Sequence, residues 1–352
     1  MPTTRLTAAS VPTAERATFL RAVALVLALA WSTVGFATTD LWVVIPPGHP
    51  LFAADEAMLE AGWGIYLSCL VVLPLLALVL RPDLGRAVVT QLGVVAACTV
   101  PVAALSLDAA LLLFGAVLAV TALPVAWPAR EGRRRRPGDR RRLTVGWAAA
   151  TLAVFAGLPW GGFMRTSGDY YPAGSRNGAI LLLATVAAAW LLAAVSRRRP
   201  SGGPAVRDRA TTAVLGVVAL GAAPWLVYLW HLCSTARHVD SYLTNGIDHW
   251  PAQAAGTLAV LALPVSAVLG RGSVRLAGAT AGLTGILLGA FSLLYQDVAA
   301  SLGSLWGALA IAWGCALSGA SLLPARTRSG AGAPAGDGRD PMDAVRGRTG
   351  PR

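Results

Sequence analysis

Lysine is absent from this sequence of 352 residues, so all 29 of its basic residues are arginine. A phosphate-binding P-loop requires a lysine, and both pyridoxal phosphate and retinal are held through a lysine Schiff base. The absence of lysine therefore excludes these sites, and no cofactor is predicted. Such a bias toward arginine is typical of a high-GC bacterium.

Charged residues are also scarce, at 13% of the chain, and the mean hydropathy is +0.61. So few charges cannot cover a water-facing surface. Apolar runs of about 18 to 23 residues recur along the chain, and a helix of that length crosses about 30 Å of hydrocarbon. The predicted fold class is therefore all-α, a polytopic integral membrane protein with about ten transmembrane helices. The predicted spans are residues 19–38, 62–80, 87–106, 108–127, 144–163, 178–196, 211–232, 252–270, 276–294 and 301–323.

These spans form one predicted transmembrane domain, residues 19–323, between two predicted cytoplasmic tails. The first tail comprises residues 1–18, and the second, residues 324–352, is rich in Gly, Ala, Pro and Arg, a composition that predicts disorder. Because three arginines precede the first apolar run, which ends near Gly35, a cleaved signal peptide is the alternative to a first span.

Arginine is divided very unequally between the two sets of loops. Of the 29 arginines, 26 lie in or beside the two tails or in the loops 81–86, 128–143, 197–210 and 271–275. Positively charged loops resist translocation, so both termini and these loops are predicted to be cytoplasmic, in a bacterial plasma membrane. Adding or removing one span would invert every later loop and destroy this asymmetry. An even number of spans near ten is therefore favoured.

The net charge of +12 is explained by this topology, and no nucleic-acid partner is predicted. The densest basic segment is Arg133–Arg136 with Arg140–Arg142. Arginines at a membrane surface attract anionic lipid headgroups by about 1 kcal/mol each. Membrane lipids are thus the predicted partners of this segment, and a purely topological anchor is the alternative.

The outer loops carry the most suggestive polar residues, including all four histidines. Carboxylates and imidazoles form acid/base pairs and metal sites. No H-E-x-x-H motif or histidine pair at i, i+4 is present, and an ordinary solvated loop is the favoured alternative. Asp55, Glu56, Asp240 and His249 are the catalytic candidates, and His231, His238, Asp240, Asp248 and His249 are the metal-ligand candidates. Trp63, Tyr66, Trp225, Tyr228, Trp230, Trp250 and Tyr295 are interpreted as part of an aromatic belt at the outer interface.

Proline and glycine mark two features of helix geometry. A proline inside a span removes a backbone hydrogen bond and predicts a kink, and kinked helices line cavities in transporters. Glycines at i, i+4, i+7 and i+11 form a groove in which two helices approach closely. The predicted kinks are at Pro74, Pro101, Pro124, Pro159, Pro224 and Pro264. The predicted helix-packing residues are Gly278, Gly282, Gly285, Gly289, Gly303, Gly307 and Gly314.

An internal repeat is visible at an offset of 190 residues. Residues 73–81, LPLLALVLR, share Leu, Pro, Ala and Arg with residues 263–271, LPVSAVLGR. Long outer loops after spans 1 and 7 and tight turns after spans 3 and 9 also correspond. Two parallel four-helix repeats on either side of spans 5 and 6 would produce this pattern, and a chance similarity is the alternative.

Three classes of function fit these observations. Kinked spans, the predicted duplication and the lack of a soluble catalytic domain favour a carrier, permease or flippase-like role for a small or lipidic solute. The acidic and histidine-bearing loops favour instead a membrane enzyme that acts at the external face on a lipid-linked or exported substrate. The third class is a non-catalytic membrane scaffold or immunity protein. The balance leans away from an enzyme.

Reporter fusions test the topology directly. Fusions after residues 137 and 203 are expected to be cytoplasmic, and fusions after residues 172 and 245 external, because arginine-rich loops resist translocation. Paired alkaline phosphatase and fluorescent-protein activities measure the location of each fusion. An inverted result at residue 203 or 245 alone would mean that the number of preceding spans is wrong.

Overall fold

The computed structural model describes residues 14–37, 54–130 and 209–323. The predicted spans 144–163 and 178–196, the tail 324–352, Pro159, and the segments Arg133–Arg136 and Arg140–Arg142 lie outside the described residues. We refer to residues 14–130 as the first half of the chain and to residues 209–323 as the second half.

The described chain is almost entirely helical. Its helices are α1 (Ala14–Thr33), α2 (Ala54–Leu67), α3 (Leu73–Leu80), α4 (Gly85–Ser106), α5 (Ala110–Arg130), α6 (Arg209–Thr235), α7 (His249–Ser266), α8 (Val274–Leu294) and α9 (Gly303–Leu322). A π turn, Ser68–Val72, joins α2 to α3, and a second π turn, Ala267–Arg271, follows α7. A 3-10 turn, Pro82–Leu84, precedes α4, and two short antiparallel strands, β1 (Leu243–Thr244) and β2 (Ile247–Asp248), precede α7.

Seven of the described helical segments are long and apolar enough to cross a membrane. They include the continuous segment Asp55–Leu80, formed by α2, its π turn and α3. The apolar part of α5, Ala110–Ala126, is shorter. A bundle of such helices satisfies its own backbone hydrogen bonds, as a protein in hydrocarbon must. The fold is thus that of an all-α membrane protein.

Two helices begin earlier in the chain than the predicted spans that they contain, and both differences affect candidate site residues. We predicted spans that begin at residues 62 and 252, but α2 begins at Ala54 and α7 at His249. Asp55 and Glu56 therefore lie in the first turn of a helix rather than in a loop. Acidic side chains are stabilised at that position by the free N–H groups and dipole of the helix amino terminus. Polarity alone does not separate such a turn from a loop.

Helices α2 and α7 cross at the centre of the bundle and run parallel. Gly62 packs on Gln253, and one turn later Tyr66 packs on Gly256. Each pair is separated by about the 190-residue offset of the sequence repeat. In addition, α7 of the second half packs on α4 of the first, while α8 of the second half packs on α2 of the first. The contacts between the two halves are therefore reciprocal, and the repeat stays a prediction.

Pro74 in the first half leaves a backbone carbonyl accessible to a side chain of another helix. Pro74 has no N–H, so it cannot donate to the carbonyl of Leu70 four residues earlier. That carbonyl instead accepts from the Nε2 of Gln91 in α4 at 3.2 Å. The same Nε2 donates to the Thr280 hydroxyl of α8 at 3.1 Å, so one amide joins three helices. Pro101, Pro124, Pro224 and Pro264 lie inside α4, α5, α6 and α7.

Helices α8 and α9 pack closely along their glycine stripes. A Cβ at Gly282 would lie 2.6 Å from the carbonyl oxygen of Gly314, and Gly289 and Gly307 face each other further along the pair. Gly278 packs on Ser321, and Gly285 packs on the ring of Trp313. Gly303 differs, because no atom lies within 3.4 Å of its Cβ position and its φ is +73° at the start of α9. Its role is conformational, since this φ favours glycine.

Replacing Gly314 by alanine tests this packing. The added Cβ would meet the Gly282 carbonyl and lie 2.8 Å from the backbone nitrogen of Ile286. Overpacking of this kind costs about 1–3 kcal/mol, so we expect a lower Tm for G314A in detergent. Gly319, in the same helix, has open space around its Cβ position, so G319A is the matched control and should not lose stability. Equal Tm values for the two variants would contradict this account of α8 and α9.

Candidate binding site between helices α2, α4, α5 and α7

A narrow, partly open cleft lies between helices of both halves. Its walls are formed by α2 and the adjoining π turn, by α4 and α5, and by α7. The lining side chains are almost all apolar or aromatic, because these helices turn their buried faces toward one another. The lining residues are Trp63, Tyr66, Leu67, Leu70, Val95, Thr99, Phe114, Ala252, Ala255 and Gly256.

The few polar groups of the cleft already have partners. The Trp63 indole nitrogen donates to the Gly35 carbonyl at 3.0 Å. The Tyr66 and Thr257 hydroxyls lie 2.7 Å apart, and the Thr99 hydroxyl donates to the Ala96 carbonyl of its own helix at 2.7 Å. The walls therefore offer a bound molecule apolar contact and no unused hydrogen-bonding group. Such a cleft suits the apolar part of a ligand.

Trp63 separates this cleft from a buried histidine. His249, the first residue of α7, is fully buried, and its imidazole stacks on the Trp63 indole with centroids 4.8 Å apart and planes 9° apart. The Tyr242 ring meets the same imidazole edge-on at 5.0 Å. On its other side, Trp63 contacts the Phe114 ring at 5.2 Å. The tryptophan is thus a wall of the cleft and a wall of the histidine site.

Neither ring nitrogen of His249 has a hydrogen-bond partner of normal geometry among the described residues. The polar groups that act on the ring there are the Glu60 carboxylate and the Leu59 carbonyl. That carbonyl already accepts from the Nε2 of Gln253 at 2.8 Å. A buried polar atom without a partner carries a cost of about 1–3 kcal/mol. Among the described residues, the imidazole therefore makes no hydrogen bond of normal geometry, although the Leu59 carbonyl and the Glu60 carboxylate act on it.

Gln253, one turn further along α7, is a second buried side chain with a polar atom that lacks a hydrogen-bond partner in the described part of the chain. The side chain is fully buried, and its Oε1 has no partner within the described ranges. The orientation of the amide is fixed, because the Leu59 carbonyl only accepts and must therefore face the NH₂ group. His249 and Gln253, at i and i+4, lie on the same face of the helix. This helix face therefore carries two buried side chains with hydrogen-bonding atoms that have no partner of normal geometry among the described residues.

The strand pair β1–β2 holds this end of the bundle together. Asn245 and Gly246 form its turn, both with positive φ, which is the geometry that Asn-Gly favours in a two-residue hairpin. Asn245 donates to the Val34 carbonyl beyond α1 at 3.0 Å. The Tyr242 hydroxyl donates to the Glu60 carboxylate at 2.8 Å, and the Tyr242 carbonyl accepts from the backbone N–H of His249. These bonds position Tyr242 and His249 against α2.

Asp248 caps helix α7 from the end of β2. Its carboxylate accepts from the Trp250 backbone N–H at 3.1 Å, and its side chain is buried. Burial raises the pKa of the Asp248 carboxyl above its ordinary value, and the nearby Asp108 carboxylate acts in the same direction. Hydrogen bonds from Trp250 and Ser241 oppose this pKa shift. Asp248 therefore has a structural role at the start of the helix.

The remaining candidates from the sequence lie apart from this site. Asp55 accepts from the Ala299 backbone N–H at 2.9 Å, and His231 bonds to the Ala299 carbonyl at 2.8 Å. His238 bonds to the Ser234 carbonyl of the preceding turn, and Asp240 is exposed. Glu56 lies beside Asp55 in the first turn of α2. Across residues 14–37, 54–130 and 209–323, no three His, Cys, Asp or Glu side chains are grouped so that they could hold a metal ion.

Sequence reasoning missed the residues that form the cleft. We interpreted Trp63 and Tyr66 as part of an interfacial belt, but both are buried, as are Trp225, Tyr228, Trp250 and Tyr295. Trp230 is 57% exposed, in keeping with a belt position. Gln253 carried a usable signal, since it is a polar side chain four residues after a histidine in an otherwise apolar run. Nothing in the sequence pairs that run with Trp63.

No family model matches the chain, and no curated protein or solved structure matches it significantly. The class of protein, an all-α membrane protein, therefore rests on the fold itself, and its function has to be argued from the site.

The raised pKa of Asp248 gives a testable pH dependence of stability. The folded state binds the proton more tightly than the unfolded state, so stability falls as pH rises through the raised pKa. The amide introduced by D248N cannot ionise, yet its oxygen can still cap the helix. We therefore expect the Tm of D248N to rise relative to the wild type between about pH 4 and neutral pH, measured by thermal unfolding in detergent.

The matched control for this experiment is D248A, which lacks both the charge and the cap. Loss of an amino-terminal cap costs about 1 kcal/mol, so D248A should be less stable than D248N at every pH. A difference in Tm between D248N and the wild type that does not change with pH would contradict the assignment.

Proposed function

We propose that the protein is a carrier, of the permease or flippase type, for a small solute with a substantial apolar part, such as a lipidic molecule. The observation that supports this proposal most strongly is the position of the cleft. It lies between α2, α4 and α5 of the first half and α7 of the second. In transporters built from repeats, the solute binds at the interface between the repeats.

The chemistry of the cleft supports an apolar or amphipathic solute over an ion or a sugar. The lining side chains are apolar, and the polar groups of Trp63, Tyr66 and Thr99 are already bonded within the protein. An ion or a free sugar would lose its hydration without gaining hydrogen bonds there. A hydrocarbon chain that enters from the bilayer, by contrast, has no hydration to lose.

Two irregular turns adjoin the helices that line the cleft, and such turns make a change of helix crossing during transport easier. One π turn lies between α2 and α3, and another follows α7. Such turns often occur at functional sites, where they locally relax the regular ladder of hydrogen bonds. Pro74 follows the first of them closely and Pro264 precedes the second. These interruptions favour a bundle in which α2 and α7 change their crossing during transport.

We further propose ten spans, with both termini cytoplasmic, in a bacterial plasma membrane. The arginine distribution supports the sidedness. The parallel course of α2 and α7 supports an even number of spans, because it places the end of α5 and the start of α6 on the same side of the membrane. On this topology, His249 and the hairpin β1–β2 face the exterior.

A membrane enzyme is the second candidate, and one observation favours it. Glu60, Tyr242 and His249 are held together at the external end of the cleft, and a carboxylate beside an imidazole is suited to proton transfer. Of the four catalytic candidates from the sequence, only His249 belongs to this group. An enzyme of this kind would act on the polar end of a molecule whose apolar part occupies the cleft.

Exchange of an amphipathic probe between leaflets tests the carrier. Vesicles containing the reconstituted protein and a trace of dodecyl maltoside are treated from outside with α-glucosidase, which reaches only the outer leaflet. With a carrier, cleavage should proceed rapidly beyond the outer-leaflet share toward completion. Cleavage that stops at the outer-leaflet share, as in protein-free vesicles, would count against the proposal.

Two variants connect this activity to the cleft. Ala255 and Val95 line it from opposite helices, so A255F and V95F each fill the space and should abolish exchange. Ala223 is exposed on α6, and A223F is the matched control that should exchange as the wild type does. Correct folding is checked by Tm, and normal exchange in both folded cleft variants would place the route elsewhere.

A further inference from the structure

We propose that the His249 end of the cleft binds a neutral hydroxyl group, so that the ligand is an amphipath with an uncharged alcohol head and a hydrocarbon chain. This inference rests on the proposed function, because the chain would occupy the cleft between α2, α4, α5 and α7. It adds a second site, formed by His249 and Gln253, that forms hydrogen bonds with the head group of the ligand.

The position of the two side chains on α7 supports a continuous site. His249, Ala252, Gln253 and Gly256 follow one another at i, i+3, i+4 and i+7 and therefore share one helix face. Ala252 and Gly256 line the cleft, and Trp63 connects the two regions because it lines the cleft and stacks on His249. A ligand that occupies both regions therefore requires the Trp63 side chain, which is bonded to the Gly35 carbonyl, to move from this position.

The unused hydrogen-bonding groups match a hydroxyl. The Gln253 Oε1 can only accept, and the His249 ring in its neutral form carries one N–H that donates. A hydroxyl group donates one hydrogen bond and accepts another, so a single hydroxyl can satisfy both side chains at once. Each of these groups is fully buried, so a partner there is bonded without competition from bulk water.

The charges around the site disfavour an anionic head. Glu60 is the charged side chain that acts on the His249 ring, and the Asp248 carboxyl lies directly before it in the chain. No arginine of the described chain acts on this ring. Among the described residues, a carboxylate or phosphate head would have the Gln253 Oε1 and Glu60 near it and no cation that acts on this ring, and like charges in a low dielectric repel strongly.

The experiment compares four decyl compounds on the full-length protein in nanodiscs. A photoreactive decanol analogue, with a diazirine in its chain, labels the site, and the labelled peptides of α2 and α7 are quantified. Decane, decanol, decanoate and decylamine then compete with it, with concentrations expressed as mole fractions in the bilayer so that partitioning does not contribute. Decanol should compete at about a fivefold lower mole fraction than decane, because it gains at least one hydrogen bond.

Two variants assign this preference to the head site. Q253M removes the acceptor, and H249F removes the ring nitrogens while keeping a ring to stack on Trp63. Both should bring decanol to the level of decane while competition by decane stays unchanged. The matched control is Q91M, because Gln91 is another buried glutamine with an unpartnered Oε1, and it should keep the preference for decanol.

The outcomes separate the two proposals. If decane and decanol compete equally in the wild type, the apolar cleft is occupied and the head site is wrong. If decylamine or decanoate competes best, the head site recognises charge, and the hydroxyl assignment is wrong. If none of the four compounds competes and no specific labelling of α2 or α7 is found, the proposed function fails with it. Loss of the decanol preference in Q91M as well as in Q253M would also overturn the assignment.

Discussion

The parallel crossing of α2 and α7 is the contact on which the rest of the described structure depends. It brings the two halves of the chain together, and it does so without help from the hydrophobic effect, since lipid tails are as apolar as the side chains they would replace. Close approach of the backbones has to supply the stability instead. Glycine provides it at Gly62 and Gly256, which receive Gln253 and Tyr66. The cleft and the His249 site are both consequences of this crossing.

Polar groups placed at the crossing show how strictly the membrane controls hydrogen bonding. Tyr66 is bonded to Thr257, and Gln91 uses its amide nitrogen on both Leu70 and Thr280. Pro74 cannot donate to the carbonyl of Leu70, which leaves that carbonyl more accessible to Gln91. A proline that breaks one helix thereby creates the acceptor that fixes two others. Several buried atoms lack a partner among the described residues, including Gln91 Oε1 and Ser68 Oγ; those of His249 and Gln253 differ in that they lie on one face of the same helix.

The sequence was a good guide to the helices and a poor guide to the site, for a physical reason. A run of apolar residues specifies a helix locally, and the glycine spacing of α8 and α9 specifies a close contact between helices that are neighbours in the chain. The cleft is made instead by Trp63, Phe114 and Ala255, which are far apart in sequence and individually ordinary. The start of α7 also extends beyond its apolar run, because Asp248 caps the helix and Trp63 covers His249. Neither the Asp248 cap nor the contact between Trp63 and His249 produces a periodic pattern in the sequence.

The fit of Tyr66 against Gly256 has a consequence for how the two halves recognise each other. These residues stand at equivalent positions of the predicted repeat, separated by 190 residues, and one is large where the other has no side chain. Two identical halves would bring tyrosine against tyrosine or glycine against glycine, and neither pairing fills the space. The interface therefore depends on the shape complementarity of a large side chain, Tyr66, and a position without a side chain, Gly256, which two identical halves could not provide. Each half therefore fits the other better than it would fit a copy of itself, and the shape of the crossing disfavours the pairing of like halves.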